Sequence, residues 1–102
     1  MPWTLLDSRA PFFRWQARLT AAQPDAGLHT IAQVQTPTLQ VEGVFGTGVV
    51  ELRGSNSGGA TVPLDVLRIA DVVAVLPVYT VGVRVLDADE TTDLLVTLAG
   101  RR

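Results

Sequence analysis

Between residues 12 and 20, Phe13, Trp15, Ala17 and Leu19 alternate with Arg14, Gln16, Arg18 and Thr20. A repeat of two places successive side chains on opposite faces of an extended chain, so this stretch predicts a strand with one apolar face. The alternation returns at Leu39, Val41, Gly43 and Phe45 against Thr38, Gln40, Glu42 and Val44, and at Val50 and Leu52 against Glu51 and Arg53. Near the end, Leu94, Val96 and Leu98 alternate with Asp93, Leu95 and Thr97. Val and Thr crowd these stretches, as expected where branched side chains pack on a pleated surface.

Turn residues punctuate the runs. Gln23-Pro24-Asp25-Ala26-Gly27 closes the first, and Gly46-Thr47-Gly48 separates two runs so briefly that a tight hairpin is predicted. Gly54-Ser55-Asn56-Ser57-Gly58-Gly59 is the strongest turn, since its residues take positive φ at low steric cost. Asp87-Ala88-Asp89-Glu90-Thr91-Thr92 separates the run at 81–86 from the last strand. Two stretches are open: residues 29–34 read as a strand or a turn of helix, and residues 66–70 as a short helical turn within a connection. The whole predicts one all-β domain over residues 12–102, a single β-sandwich or jelly-roll-like domain of six to eight short antiparallel strands. Residues 1–11, with Pro2 and Pro11 bracketing Trp3, Leu5 and Leu6, are expected to form an N-terminal arm.

Composition narrows the function classes. One hundred and two residues make one domain, and apolar residues at 47% against 18% charged suffice for a core. Every basic residue is arginine, which removes a P-loop lysine, a Schiff-base lysine and lysine acid–base chemistry. Without cysteine there is no disulfide, thiolate nucleophile or zinc–cysteine site. A net charge of -2 and a pI near 5.1 argue against affinity built on neutralising phosphates. The longest apolar run, from Val72 to Tyr79, falls short of the ~20 residues that span a bilayer, and the N-terminus lacks the charged and apolar regions of a signal peptide. No nucleic-acid, membrane or cofactor dependence is expected.

The residues able to carry chemistry are few. His29 is the single histidine, so a Ser-His-Asp triad rests on it alone, and Ser8, Ser55 and Ser57 lie in no Gly-x-Ser-x-Gly elbow. The glycine clusters open no βαβ unit and read as turns rather than phosphate cradles. Asp87, Asp89, Glu90 and Asp93 are the best metal candidate, since oxygen ligands at alternating positions suit calcium. However, Thr91 and Thr92 stand where an EF-hand loop needs a third ligand and a glycine. A solvated acidic loop is the reading preferred. Trp3, Trp15 and Tyr79 are candidates for a carbohydrate-stacking platform, though Trp15 lies on the apolar face of its strand. Arg9, Arg14 and Arg18 with Phe12 and Trp15, and Arg101-Arg102 at the end, come nearest to a basic–aromatic patch. In an acidic chain these read as arginines of a protein interface, where the planar guanidinium pairs with carboxylates.

One stretch has a counterpart elsewhere. Val41-Glu42-Gly43-Val44-Phe45-Gly46-Thr47-Gly48-Val49-Val50-Glu51-Leu52-Arg53-Gly54-Ser55-Asn56-Ser57-Gly58-Gly59 resembles small tailed-phage structural proteins whose central part reads V-x-G-T-F-G-x-x-x-V-x-L-x-G-S-N-D-G. Pro77-Val78-Tyr79 and the last strand from Asp93 to Arg102 are similar to their C-terminal part. Ser57 stands where those proteins have an acid, and Gly59 and Ala60 where an aromatic often follows. The resemblance implies a virion component without catalytic activity, a capsid decoration or cement protein on the head surface. Its partners would be the major capsid protein and further copies of itself, as a homo-oligomer, a trimer by that likeness. Trp3, Phe12, Arg14 and Arg18 are the candidate interface residues, lying in the arm or off the expected core face. A carbohydrate-binding module of a tail or surface protein and a tail or head–tail connector subunit are the alternatives.

Overall fold

The described residues form nine strands: β1 (Thr4–Asp7), β2 (Phe12–Thr20), β3 (Asp25–Thr30), β4 (Gln35–Val44), β5 (Val49–Ser55), β6 (Val62–Leu67), β7 (Asp71–Ala74), β8 (Thr80–Leu86) and β9 (Asp93–Arg101). The structure, a computed structural model, describes residues 3–7, 12–57 and 59–101, without the side chain of Asp7. Residues 1–2 and 8–11 of the expected arm, with Gly58 and Arg102, lie outside the described residues.

The strands pair from the chain's extremities towards its middle. β2 pairs with β9, β3 with β8, β4 with β7 and β5 with β6, all antiparallel. This is one long hairpin with its tip at the β5–β6 turn, rolled so that successive pairs fall into alternate sheets. Pairing of β9 with β4 and of β8 with β5 joins the pairs within each sheet. The result is a five-stranded sheet, β1-β2-β9-β4-β7, facing a four-stranded sheet, β3-β8-β5-β6. That connectivity is a jelly roll, as the alternation and turn spacing predict. The count exceeds eight because the supposed arm is not all arm: Thr4–Asp7 pairs with β2 as an edge strand.

Between the sheets, Ala17, Leu19, Leu39, Val41, Leu94, Val96 and Leu98 meet Val50, Leu52, Val81, Val83 and Val85, all buried. Each such Leu or Val stabilises the fold by about 1.5–3 kcal/mol relative to exposure. The period of two therefore reports the core directly in β2, β4 and β9.

The expected hairpin at Gly46-Thr47-Gly48 is overturned. The turn is tight, with the Gly48 N–H donating to the Phe45 carbonyl at 2.8 Å. It nevertheless carries the chain from β4 in one sheet to β5 in the other. β4 cannot pair with its successor because β9 and β7 already occupy both of its edges. The acidic loop at 87–92 crosses between the sheets beside this turn and is laced to it. The Thr47 hydroxyl donates to the Asp87 carbonyl at 2.6 Å, and the Thr92 hydroxyl donates to the Phe45 carbonyl at 2.8 Å. Gly46 sits at φ +58, where an added Cβ would also strike the Asp89 carboxylate. The helical readings likewise fall away, since no described residue is helical. Residues 29 and 30 finish β3 and residues 66 and 67 finish β6, their backbone donors and acceptors being taken up by neighbouring strands. The Gly54–Gly59 segment joins β5 to β6 in one sheet, as a hairpin should.

Candidate docking face

The outer face of the five-stranded sheet is built by the polar half of the alternation. Strand register sets its rows: Phe12 beside Arg101, Arg14 beside Ala99 and Thr38, Gln16 beside Thr97 and Gln40, and Arg18 beside Leu95 and Glu42. β7 extends two of these rows with Ala74 and Val72. Phe12, Arg14 and Arg18, three of the four residues expected at an interface, thus share one face because even numbers of residues separate them along β2.

Trp3 does not join them. It is 6% exposed, packs in the core, and its indole N–H donates to the Gly27 carbonyl at 3.2 Å. The expectation that Trp3 lies off the core is corrected. A residue just ahead of a four-residue edge strand falls across the open side of the sandwich, where a large ring finds apolar cover.

Local bonds fix parts of the face. Gln16 Nε2 donates to Thr97 Oγ1 at 3.2 Å, and Gln40 Nε2 donates to Glu42 Oε2 at 2.8 Å. Arg18 Nε lies 3.1 Å from an Asp93 carboxylate oxygen, an exposed pair that contributes little stability. The Arg101 guanidinium stands 5.6 Å from the centre of the exposed Phe12 ring. At this corner Phe12, Phe13, Arg14, Thr36, Thr38, Ala99, Gly100 and Arg101 line a groove of about 260 Å³. Thr36 takes φ 48, a left-handed conformation rare for a branched residue, where a bulge interrupts the β4–β9 ladder. Among the described residues, neither Arg14 nor Arg101 has a carboxylate partner, whereas Arg18, Arg53 and Arg84 each have one.

The opposite face is differently organised. Glu51 Oε1 receives Arg53 Nη1 at 2.9 Å and Arg84 Nε at 2.8 Å, and Arg53 also reaches the Thr61 hydroxyl and carbonyl. The Arg53 hydrogen bond foremost, with Arg84 beside it, holds the Glu51 carboxyl below its ordinary range. With every buried side-chain polar atom satisfied among the described residues, this cluster is a structural clasp between β5 and β8.

His29, at the end of β3, sits among rings: its centroid lies 4.5 Å from that of Trp15 and 6.0 Å from that of Trp3. Trp15 in turn stacks on Phe13 at 5.9 Å. Burial pulls the imidazole below its ordinary value. Ser55 and Ser57 hydrogen-bond one another at 3.0 Å in the β5–β6 turn, which explains their presence there. On the acidic loop, Asp89 accepts from the Thr91 hydroxyl at 2.6 Å, the Thr91 N–H at 2.8 Å and the Thr47 N–H at 3.1 Å. These bonds, the Thr91 hydroxyl foremost, hold its carboxyl at about 2. The described residues contain no group of three His, Asp or Glu side chains placed to hold a metal. Trp15 and Tyr79, from the expected stacking platform, line one cavity of about 280 Å³ with Thr30, Ala32, Gln33 and Val34; Trp3 is not among its walls.

Sequence reasoning missed Thr36 and Thr38 as companions of Phe12 and Arg14. Arg101 shares the outward parity of β9 with Leu95, Thr97 and Ala99, so its face was readable; its neighbour across the ladder was not. No protein-family model matches this chain, and no curated protein matches it.

Proposed function

We propose that this protein is a structural component of a tailed-phage virion, a capsid decoration protein. It binds the major capsid protein through the outer face of the β1-β2-β9-β4-β7 sheet and stands on the head surface. The observation that carries this reading is the gathering of Phe12, Arg14 and Arg18, with Arg101, on one broad sheet face. Aromatic side chains and arginine are what protein interfaces concentrate, and lysine is what they exclude. The likeness of residues 41–59 to phage structural proteins supports the same reading. The protein acts by binding rather than turnover: a ligand that engages only the assembled shell stabilises it by mass action, about 2.7 kcal/mol at a hundredfold excess over Kd.

Purified protein mixed with undecorated heads is expected to raise the temperature at which the shell melts. The double variant Arg14→Glu/Arg18→Glu should bind without that gain or not at all. An unchanged transition with saturating wild-type protein rejects the reading. Copy number follows from light scattering on the free protein, with a trimer expected.

The cavity between Trp15 and Tyr79 favours a second reading, a carbohydrate-binding module. Two aromatic rings beside Thr30 and Gln33 suit a sugar's apolar face and hydroxyls. A glycan titration signal lost in Tyr79→Ala would select it.

A further inference from the structure

The groove at the β2–β9–β4 corner combines features that structural upkeep alone does not require. Its two guanidiniums, Arg14 and Arg101, lack a carboxylate partner among the described residues in a chain of net charge -2. They stand on diagonal positions of the β2–β9 ladder, about 7–8 Å apart at the backbone and within joint reach of one small anion. Between and beside them lie the exposed Phe12 ring, Ala99 and the Thr38 side chain. The Thr36 hydroxyl donates to the Gln35 carbonyl at 2.8 Å, which leaves its oxygen facing outward bonds only as an acceptor. The floor is the backbone of Gly100. The rim is the bulge at Thr36, held in a conformation that costs a branched residue free energy. Strain of this kind persists where the surrounding structure fixes a shape, and here the shape is a depression with cationic walls and an aromatic side.

We infer that this groove binds a carboxylate-bearing peptide segment of a partner protein: an Asp or Glu clamped between Arg14 and Arg101, with an adjoining apolar side chain on Phe12. A carboxylate accepts the forked donors of a guanidinium in pairs, which a point cation does not offer. A partly apolar groove adds contact for the neighbouring residue that a free inorganic anion lacks. The inference rests on the docking reading for the source of the segment, the capsid partner, but the chemistry of the groove stands apart from it.

The test is selection of a displayed random heptapeptide library on the wild-type protein. Enriched peptides should carry Asp or Glu well above the library frequency. The best of them, titrated by calorimetry, should bind at least tenfold more weakly to Arg14→Gln and to Arg101→Gln. It should also weaken tenfold when its own acid is replaced by the amide. Both variants are on an exposed face, and unchanged thermal melting confirms that they fold. Peptides without an acidic excess, or affinity indifferent to both arginine variants, overturn the inference. Displacement of the peptide by an equal concentration of inorganic phosphate also overturns it, because the groove is then a bare anion site. Failure of the protein to bind heads, with acidic peptides still selected, rejects the capsid partner and leaves the groove's specificity in place.

Discussion

At one margin of the sandwich, where β1 and β3 end their sheets, the Trp3 ring is buried and its N–H donates across to Gly27. Leu5, Leu6 and Leu28 are exposed on that margin, and at the other, where β6 and β7 end their sheets, Val62, Val66, Ile69 and Val72 are exposed, Ile69 at 72%. The second margin is managed through its backbone instead. The Val66 N–H donates to the Asp65 carboxylate and the Val72 N–H to the Asp71 carboxylate, each at 2.8 Å, while Pro63 has no N–H to offer. Edge strands with free donors recruit further strands, and these devices remove the donors. The difference teaches that a sandwich is finished either by covering an edge or by silencing it. Covering concentrates stability on one ring; silencing refuses open-ended sheet growth without one.

The comparison breaks most visibly at Trp3. Trp3→Ala removes the cover and should cost about 3–5 kcal/mol, read from urea unfolding. Trp3→Phe keeps most of the ring but loses the bond to Gly27 and should cost about 1 kcal/mol beyond its packing loss. An equally large loss in both would mean that the hydrogen bond, not burial, closes this margin.

Acid titration sharpens the contrast, because His29 belongs to the covered margin. Burial lowers its folded-state value below 6.5, so the unfolded chain takes the proton first. Its contribution is complete above about pH 6.5 and declines as pH falls through the folded value. A second decline belongs to two carboxylates: Asp89 titrates near 2 instead of 3.8, and Arg53 foremost, with Arg84, holds Glu51 below 4.5, so the stabilisation of each is present above its ordinary value and is lost as pH falls through the folded one. Melting temperatures between pH 8 and 2 should therefore fall in two stages, and His29→Gln should remove the first. A single stage unaffected by that substitution would detach His29 from the stability of the margin.

The smallest effect on melting is expected at the silenced edge. Asp65→Ala with Asp71→Ala should change stability by under about 0.5 kcal/mol, being surface substitutions. The same pair should raise light scattering at high protein concentration, since two backbone donors become free. Unaltered scattering would mean that the carboxylates do not guard this edge.

How much of this was legible follows from the range of each interaction. The outward parity of Phe12, Arg14 and Arg18 needs only the alternation within β2, and the structure puts them on one face. The turn at 54–59 is local and joins neighbours. The expectation for Trp3 fails because its burial is decided by Gly27, on the other sheet, and no periodicity surrounds a residue just ahead of a four-residue strand. The turn at 46–48 was misread as a hairpin because glycine spacing reveals a reversal but not which sheet receives the chain. The groove was out of reach for a similar reason: Thr36 and Arg101 meet Phe12 and Arg14 only through the bulge in β4 and the register of β9.

The central place of β9 has a kinetic consequence. Residues 93–101 stand between β2 and β4, with Phe12 opposite Arg101 across nearly the whole length of the sequence. During synthesis, β1-β2 and β4-β7 remain two separate ribbons until that late segment emerges and zips them together. Such distant pairing makes for slow closure, on the order of milliseconds to seconds. Until then the nascent chain holds two unsealed apolar ribbons, and the pairing of β9 with β2 and β4 is the step that closes the five-stranded sheet.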